Sequence, residues 1–166
     1  MALTIYNDPS ANANAGTYAT QARPDKVDFD IIAAAHSGTA VYSGCAVTPH
    51  NSGVDLNVAV AAGTVMIAGA SVAVAAAANV TVTAANGANP RRDLVVVNNA
   101  GTVSVTAGVA AVVPCLPNVP ANSVALAAVE VPAAATSITA ANLTDKRVFD
   151  LFKSYATRLA ARALSS

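Results

Sequence analysis

Between residues 31 and 89 the chain carries one formally charged side chain, Asp55, and its bulkier apolar residues return in steps of two: Val58 and Val60, Val65 and Ile67, Val72 and Val74, Val80 and Val82. A period of two marks half-buried β-strands, because successive side chains point to opposite faces of a sheet. The pairs are separated by Ala61-Ala62-Gly63-Thr64, by Gly69-Ala70 and by residues 75–79. The stretch therefore predicts a meander of short strands in one regular sheet, with Gly63 and Gly69 as turn residues. The window 56–82 holds no charge at all, and it is longer than the ~20 residues a membrane-spanning helix needs. Its residues are mostly Ala, Gly, Thr, Asn and Val, with no Lys or Arg anchoring either end. Interleaved Val, Thr and Gly cost a helix a few tenths to about 1 kcal/mol each, so strands are the better reading.

Further on, Pro90-Arg91-Arg92-Asp93-Leu94-Val95-Val96-Val97 runs into Asn98-Asn99-Ala100-Gly101 and then Thr102-Val103-Ser104-Val105-Thr106-Ala107-Gly108. An apolar run, an Asn/Gly turn and a run with alternate valines predict a β-hairpin. Leu94 to Val97 should be buried on both faces, whereas Val103 and Val105 point one way and Thr102, Ser104 and Thr106 the other. The charges at Arg91, Arg92 and Asp93 mark where the chain enters the core, with Arg92 and Asp93 read as a structural ion pair. Val112-Val113-Pro114-Cys115-Leu116-Pro117-Asn118-Val119-Pro120 is too rich in proline for a central strand and reads as an extended surface crossing. Ser123-Val124-Ala125-Leu126-Ala127-Ala128-Val129-Glu130-Val131 returns as a strand. Ile138-Thr139-Ala140-Ala141-Asn142-Leu143-Thr144-Asp145-Lys146-Arg147 closes the segment.

In that order these residues resemble a module recurrent in tailed-bacteriophage virion proteins, where it occurs in tail fibres, baseplate and receptor-binding subunits, and head fibres. Gly44-Cys45-Ala46-Val47 and the run 58–69 extend the resemblance upstream, so that it covers roughly residues 40–148. The resemblance implies an assembly subunit that forms a homotrimer. In long fibres the Thr-Asp-Lys-Arg segment leads into a distal receptor-binding part, whereas here a single helix is expected to follow. That difference favours a connector or decoration role over host-receptor binding.

Composition fits the same picture. Hydrophobic residues make up 54% of the 166, aromatics only 4%, and tryptophan is absent. The core must be built from Val, Ala and Leu, each burying little area at about 25 cal/mol per Å², and association would supply further burial. Charged residues are 11%, under half the usual quarter. Nine basic and nine acidic residues cancel, which leaves no global field to recruit nucleic acid or an anionic membrane. Cys45 and Cys115 have no Cys-x-x-Cys spacing and read as two small buried hydrophobes, with a disulfide between them left open. The first residues, Met1-Ala2-Leu3-Thr4-Ile5-Tyr6, lack a secretory pattern, so assembly in a host cytoplasm is expected.

The ends differ in texture. Residues 1–35 predict an arm that wraps a neighbouring subunit, with a short helical turn near residues 24–35. Residues 148–166 predict an amphipathic helix, capped by Thr144, with Val148, Leu151, Phe152, Tyr155 and Leu159 along one stripe. These five are the expected oligomer interface. The fold expected is mainly β, an antiparallel β-sandwich or open barrel over 36–147, with the N-terminal arm and the C-terminal helix attached.

Residues for chemistry are sparse. Glu130 is the single glutamate and lies in a strand pattern with no partner carboxylate at a usable spacing, which does not support paired-carboxylate acid/base work. His36 and His50 bracket Cys45 without a zinc spacing and read as polar loop residues. Neither a Gly-x-Ser-x-Gly elbow nor a phosphate-cradling glycine loop occurs. No catalytic residue, metal ligand or cofactor is therefore expected. The function expected is a non-enzymatic virion structural protein of tail, baseplate or fibre, partnered by its own copies and other virion proteins. A capsid decoration or head-fibre protein is the alternative within that class. A carbohydrate-binding module is the alternative outside it, for which Tyr6, Tyr18, Tyr42 and Tyr155 are a thin aromatic platform.

Overall fold

The computed structural model describes residues 38–84 and 87–149. The expected arm 1–35 with its expected helical turn, His36, and the part of the expected helix from 150 onward lie outside them. The described chain is mainly β: β1 (Ala40–Gly44), β2 (Val47–Pro49), β3 (Asn57–Val60), β4 (Gly63–Ile67), β5 (Ala70–Val74), β6 (Ala77–Thr81), β7 (Arg91–Asn98), β8 (Val103–Thr106), β9 (Ser123–Val131) and β10 (Leu143–Asp145). Short 3-10 turns at His50–Gly53 and Ala140–Asn142 complete it. The strands form three antiparallel sheets, ordered β1-β4-β5, β2-β3-β6 and β10-β9-β7-β8.

The valine pairs do form strands, but not one regular sheet. β1 pairs with β4 and β2 with β3, so residues 40–67 are one long hairpin whose two halves belong to different sheets. The chain bends where Gly44 and Cys45 both take positive φ, +64° and +56°. Across the bend, Cys45 N–H donates to Ala62 O at 3.3 Å and Ala61 N–H donates to Ala46 O at 2.9 Å. Gly63 is therefore the first residue of β4 rather than a turn residue, and a Cβ on it would lie 2.5 Å from Cys45 Sγ and 2.3 Å from Ser43 O. Only glycine permits so close an approach. Gly69 does sit in a turn, with φ +80°. Residues 77–79, expected as turn, belong to β6 because Ala77 and Val80 pair with Val60 and Val58.

The 90–131 segment folds as its pattern predicts. β7 and β8 pair from Leu94–Thr106 to Val97–Val103, and β9 lines the other side of β7 from Arg91–Val131 to Asn98–Ser123. Leu94, Val95, Val96 and Val97 are all buried. One face of this sheet gives Val95, Val97, Leu126, Val129 and Val131 to a core shared with Val41, Val58, Val60, Val65, Ile67, Val74 and Ile138 from the rest of the fold. The other face, with Leu94, Val96, Ala125 and Ala128, is covered by Leu116 and Val119 of the proline-rich crossing and by Val148. Each fully buried valine or leucine stabilises by about 1.5–3 kcal/mol relative to exposure.

The end of the described chain departs from expectation. Thr144 lies in β10, not at a helix start, and Val148 and Phe149 remain extended: Phe149 bridges Val41 in parallel and Val41 N–H donates to Val148 O at 2.8 Å. Pairing with β1 holds this backbone where an N-terminal helical turn was expected.

Candidate functional site

Three polar nodes stand out in a chain with so few charges. The first is at the start of β7. Arg91 and Asp93, two apart on one strand, share a face, and the guanidinium forks onto the carboxylate, Nε to Oδ1 at 2.6 Å and Nη2 to Oδ2 at 2.8 Å. The same guanidinium donates to the carbonyls of Thr83 and Ala84, and Asp93 Oδ1 accepts Gly108 N–H at 3.0 Å. The Arg91 fork is the main reason its guanidinium is held above the ordinary range. The expected Arg92–Asp93 pair is thus corrected to Arg91–Asp93. Adjacent strand residues face opposite ways, and Arg92 instead lies 3.8 Å from Glu130 on the neighbouring strand.

The second node is at the 3-10 turn after β2. Asp55, an acceptor when ionised, takes the His50 Nδ1–H at 2.7 Å and Asn57 N–H at 3.0 Å. The His50 hydrogen bond is the leading cause that lowers the Asp55 carboxyl. Its main chain continues the link, with Ile138 N–H donating to Asp55 O at 2.8 Å.

The third lies where the chain leaves β10. Arg147 grips Asp145 through Nε (2.9 Å) and Nη2 (2.6 Å), donates Nη1 to Gly44 O at 2.8 Å, and stacks over Phe149 with 5.3 Å to the ring centroid. That grip lowers the Asp145 carboxyl and raises the Arg147 guanidinium. Nearby Cys45 is fully buried; burial pushes its thiol up, opposed by the Arg147 charge.

Two of these nodes border shallow concavities, Arg91 at the start of β7 and Asp145 beside β2. His50 is engaged with Asp55, Glu130 is exposed on β9, and both cysteines are free, Cys45 buried and Cys115 exposed. Cys115 thus departs from the expectation of two buried thiols: on a crossing with a single row of contacts, Leu116 points in and its neighbour points out. Among the described residues no group of three or more His, Cys, Asp or Glu side chains converges. Shallow concavities lie among the described residues. One of about 230 Å³ lies between β2 and β10, walled by Val47, Pro49, Leu126, Ala127 and Leu143. One of about 460 Å³ lies at the β7 entrance, between Pro90, Arg92, Glu130, Pro132, Val113 and Pro114.

Beside this second concavity the crossing carries a ridge of exposed valines, Val109 (80%), Val112 (84%) and Val113 (60%). The sequence signal for it was present, since these residues fall between Gly108 and Pro114 with no strand to bury them. The expected interface residue Val148 is half-buried against the Leu94–Leu116 cluster. Leu151, Phe152, Tyr155 and Leu159 lie outside the described residues. Comparison of the chain with family models, curated proteins and solved structures gave no match.

Proposed function

We propose that this chain is a non-enzymatic structural subunit of a tailed-bacteriophage virion, a homo-oligomer of three copies, that anchors or connects parts of the tail, baseplate or fibre. The observation that carries the reading is the valine ridge. Val109, Val112 and Val113 stay exposed while Leu116 and Val119 of the same crossing are packed down, and exposed apolar surface of this kind is characteristic of contacts with other chains. The order of motifs that resembles the phage module supports it, since that order coincides with β7, β8, the crossing, β9 and β10. In this reading the three sheets make a β-sandwich or open barrel, with β6 lying against β8 and β2 against β10. The expected arm 1–35 and the expected interface residues Leu151, Phe152, Tyr155 and Leu159 lie outside the described residues.

Sedimentation equilibrium of the full chain tests it. A trimer mass that falls toward the monomer in Val112→Lys with Val113→Lys, or on deletion of 150–166, is the expected result. A monomer at every concentration, with neither change altering its mass, would overturn the proposal. Immunogold labelling of particles then separates tail from head.

A further inference from the structure

Both connections of the described fold to the rest of the chain lie on one strand. Residue 38 is held at the β4–β5 turn, where Gly69 N–H donates to Gly38 O at 3.0 Å and Ala68 N–H donates to Thr39 Oγ1 at 3.0 Å. The chain then runs down β1, and at the other end of the fold it returns to lie beside β1 in the same direction, Val41 against Phe149. Because the two segments are parallel, tension pulling residue 38 one way and Phe149 the other slides them lengthwise past each other. A lengthwise slide loads every cross-link at once, whereas peeling breaks them one by one.

The cross-links are in place. Val41 N–H holds Val148 O at 2.8 Å, and Arg147 reaches along β1 to Gly44 O at 2.8 Å while its fork ties it to Asp145. Charge-assisted forks of this type are among the stronger and more directional hydrogen bonds. Asp145 is itself laddered to Ala127 of β9, so the load passes from β1 through Arg147 into the largest sheet.

We infer that the fold is a mechanical clamp, in which β1 and residues 145–149 carry tension along the chain in shear and hand it on to the largest sheet. The inference is independent of where the chain works. It accounts for Arg147 making four separate contacts in a molecule with few charges.

Constant-force measurements on the full chain test it, in a Cys115→Ser background that leaves only the buried Cys45 thiol. One geometry pulls from the two chain ends. The other pulls from cysteines placed at Val54 and Ala100, both exposed, and does not load Gly38 or Phe149. Arg147→Ala should speed unfolding about tenfold end to end, the equivalent of about 1.4 kcal/mol, and change the internal geometry less than about twofold. Arg147→Lys, which keeps the charge and loses the fork, should fall between, and decides the matter if the alanine variant does not fold. Equal acceleration in both geometries, or none in either, overturns the clamp.

Discussion

Replacing Arg91 by methionine should be among the most damaging single substitutions in the described fold, and its rescue is equally specific. The Asp93 carboxylate is 0% exposed and takes two hydrogen bonds from Arg91 and one from Gly108. Arg91→Met leaves that charge buried with the Gly108 N–H alone, a situation that costs about 3–5 kcal/mol, against a total stability of about 5–15 kcal/mol for an ordinary domain. For a fold of this size the loss corresponds to roughly 10–20 °C in Tm, or a fall of about 2 M in the urea midpoint. Removing both charges, Arg91→Met with Asp93→Leu, should restore stability to within about 1–2 kcal/mol of the parent, because a buried pair and an apolar pair of similar volume are close in energy. The carbonyls of the exposed residues Thr83 and Ala84 then turn to water. The chain has no tryptophan, so far-UV circular dichroism in urea is the assay. A single-variant loss under about 1 kcal/mol, or a double variant no better than the single, would refute the assignment of this pair as a buried structural clasp.

Gly63→Ala should cost about 3 kcal/mol or more, since its Cβ would overlap Ser43 O and Cys45 Sγ, whereas Gly69→Ala, with open space but φ +80°, should cost only about 1–2 kcal/mol; paired urea titrations give the comparison. Asp55 and Asp145 both have lowered carboxyl pKa values through His50 and Arg147. Their contribution is therefore present above the ordinary carboxylate range and lost as pH falls through about 4 and below, and Asp55→Asn with Asp145→Asn should flatten the acid limb of a stability-against-pH curve. With a thiol reagent, Cys115 should react in the native state while Cys45, buried and pushed up in pKa, should react only on unfolding; two fast thiols would contradict the packing around the β1–β2 bend.

The 90–131 segment was the most legible part because its local signals agree: an unbroken apolar run, an Asn/Gly turn, and prolines that exclude pairing where the crossing lies. The strands from 57 to 81 were legible as strands but not as sheets. Valines spaced by two look the same whichever neighbour they pair with, and partition between sheets depends on the bend at Gly44 and Cys45, where a left-handed cysteine has no sequence signature. Strand β1 was missed because Ala40-Val41-Tyr42-Ser43-Gly44 has one bulky aliphatic residue and a register shift between Val41 and Ser43. At the site, Arg91 rather than Arg92 partners Asp93, which alternation along a strand could have told. The crossing that carries the valine ridge was legible as a surface segment, but which of its valines stay exposed was not, since Val112 and Val113 are open while Val119 is partly buried.

Among the described residues, nine of the twelve largest fully buried side chains are valines, and that uniformity has a cost in information. A strand displaced by two positions would often exchange one valine for another, keeping oily faces inward at little penalty. What indexes these strands is then their exceptions: the Arg91–Asp93 clasp that takes the Gly108 N–H, the bare α-carbon of residue 63 beneath a sulfur, the extra residue at Tyr42. Such a chain resembles a rack of identical teeth with a few odd notches, and misalignment, more than loss of greasy contact, is the fault that altering a notch would introduce.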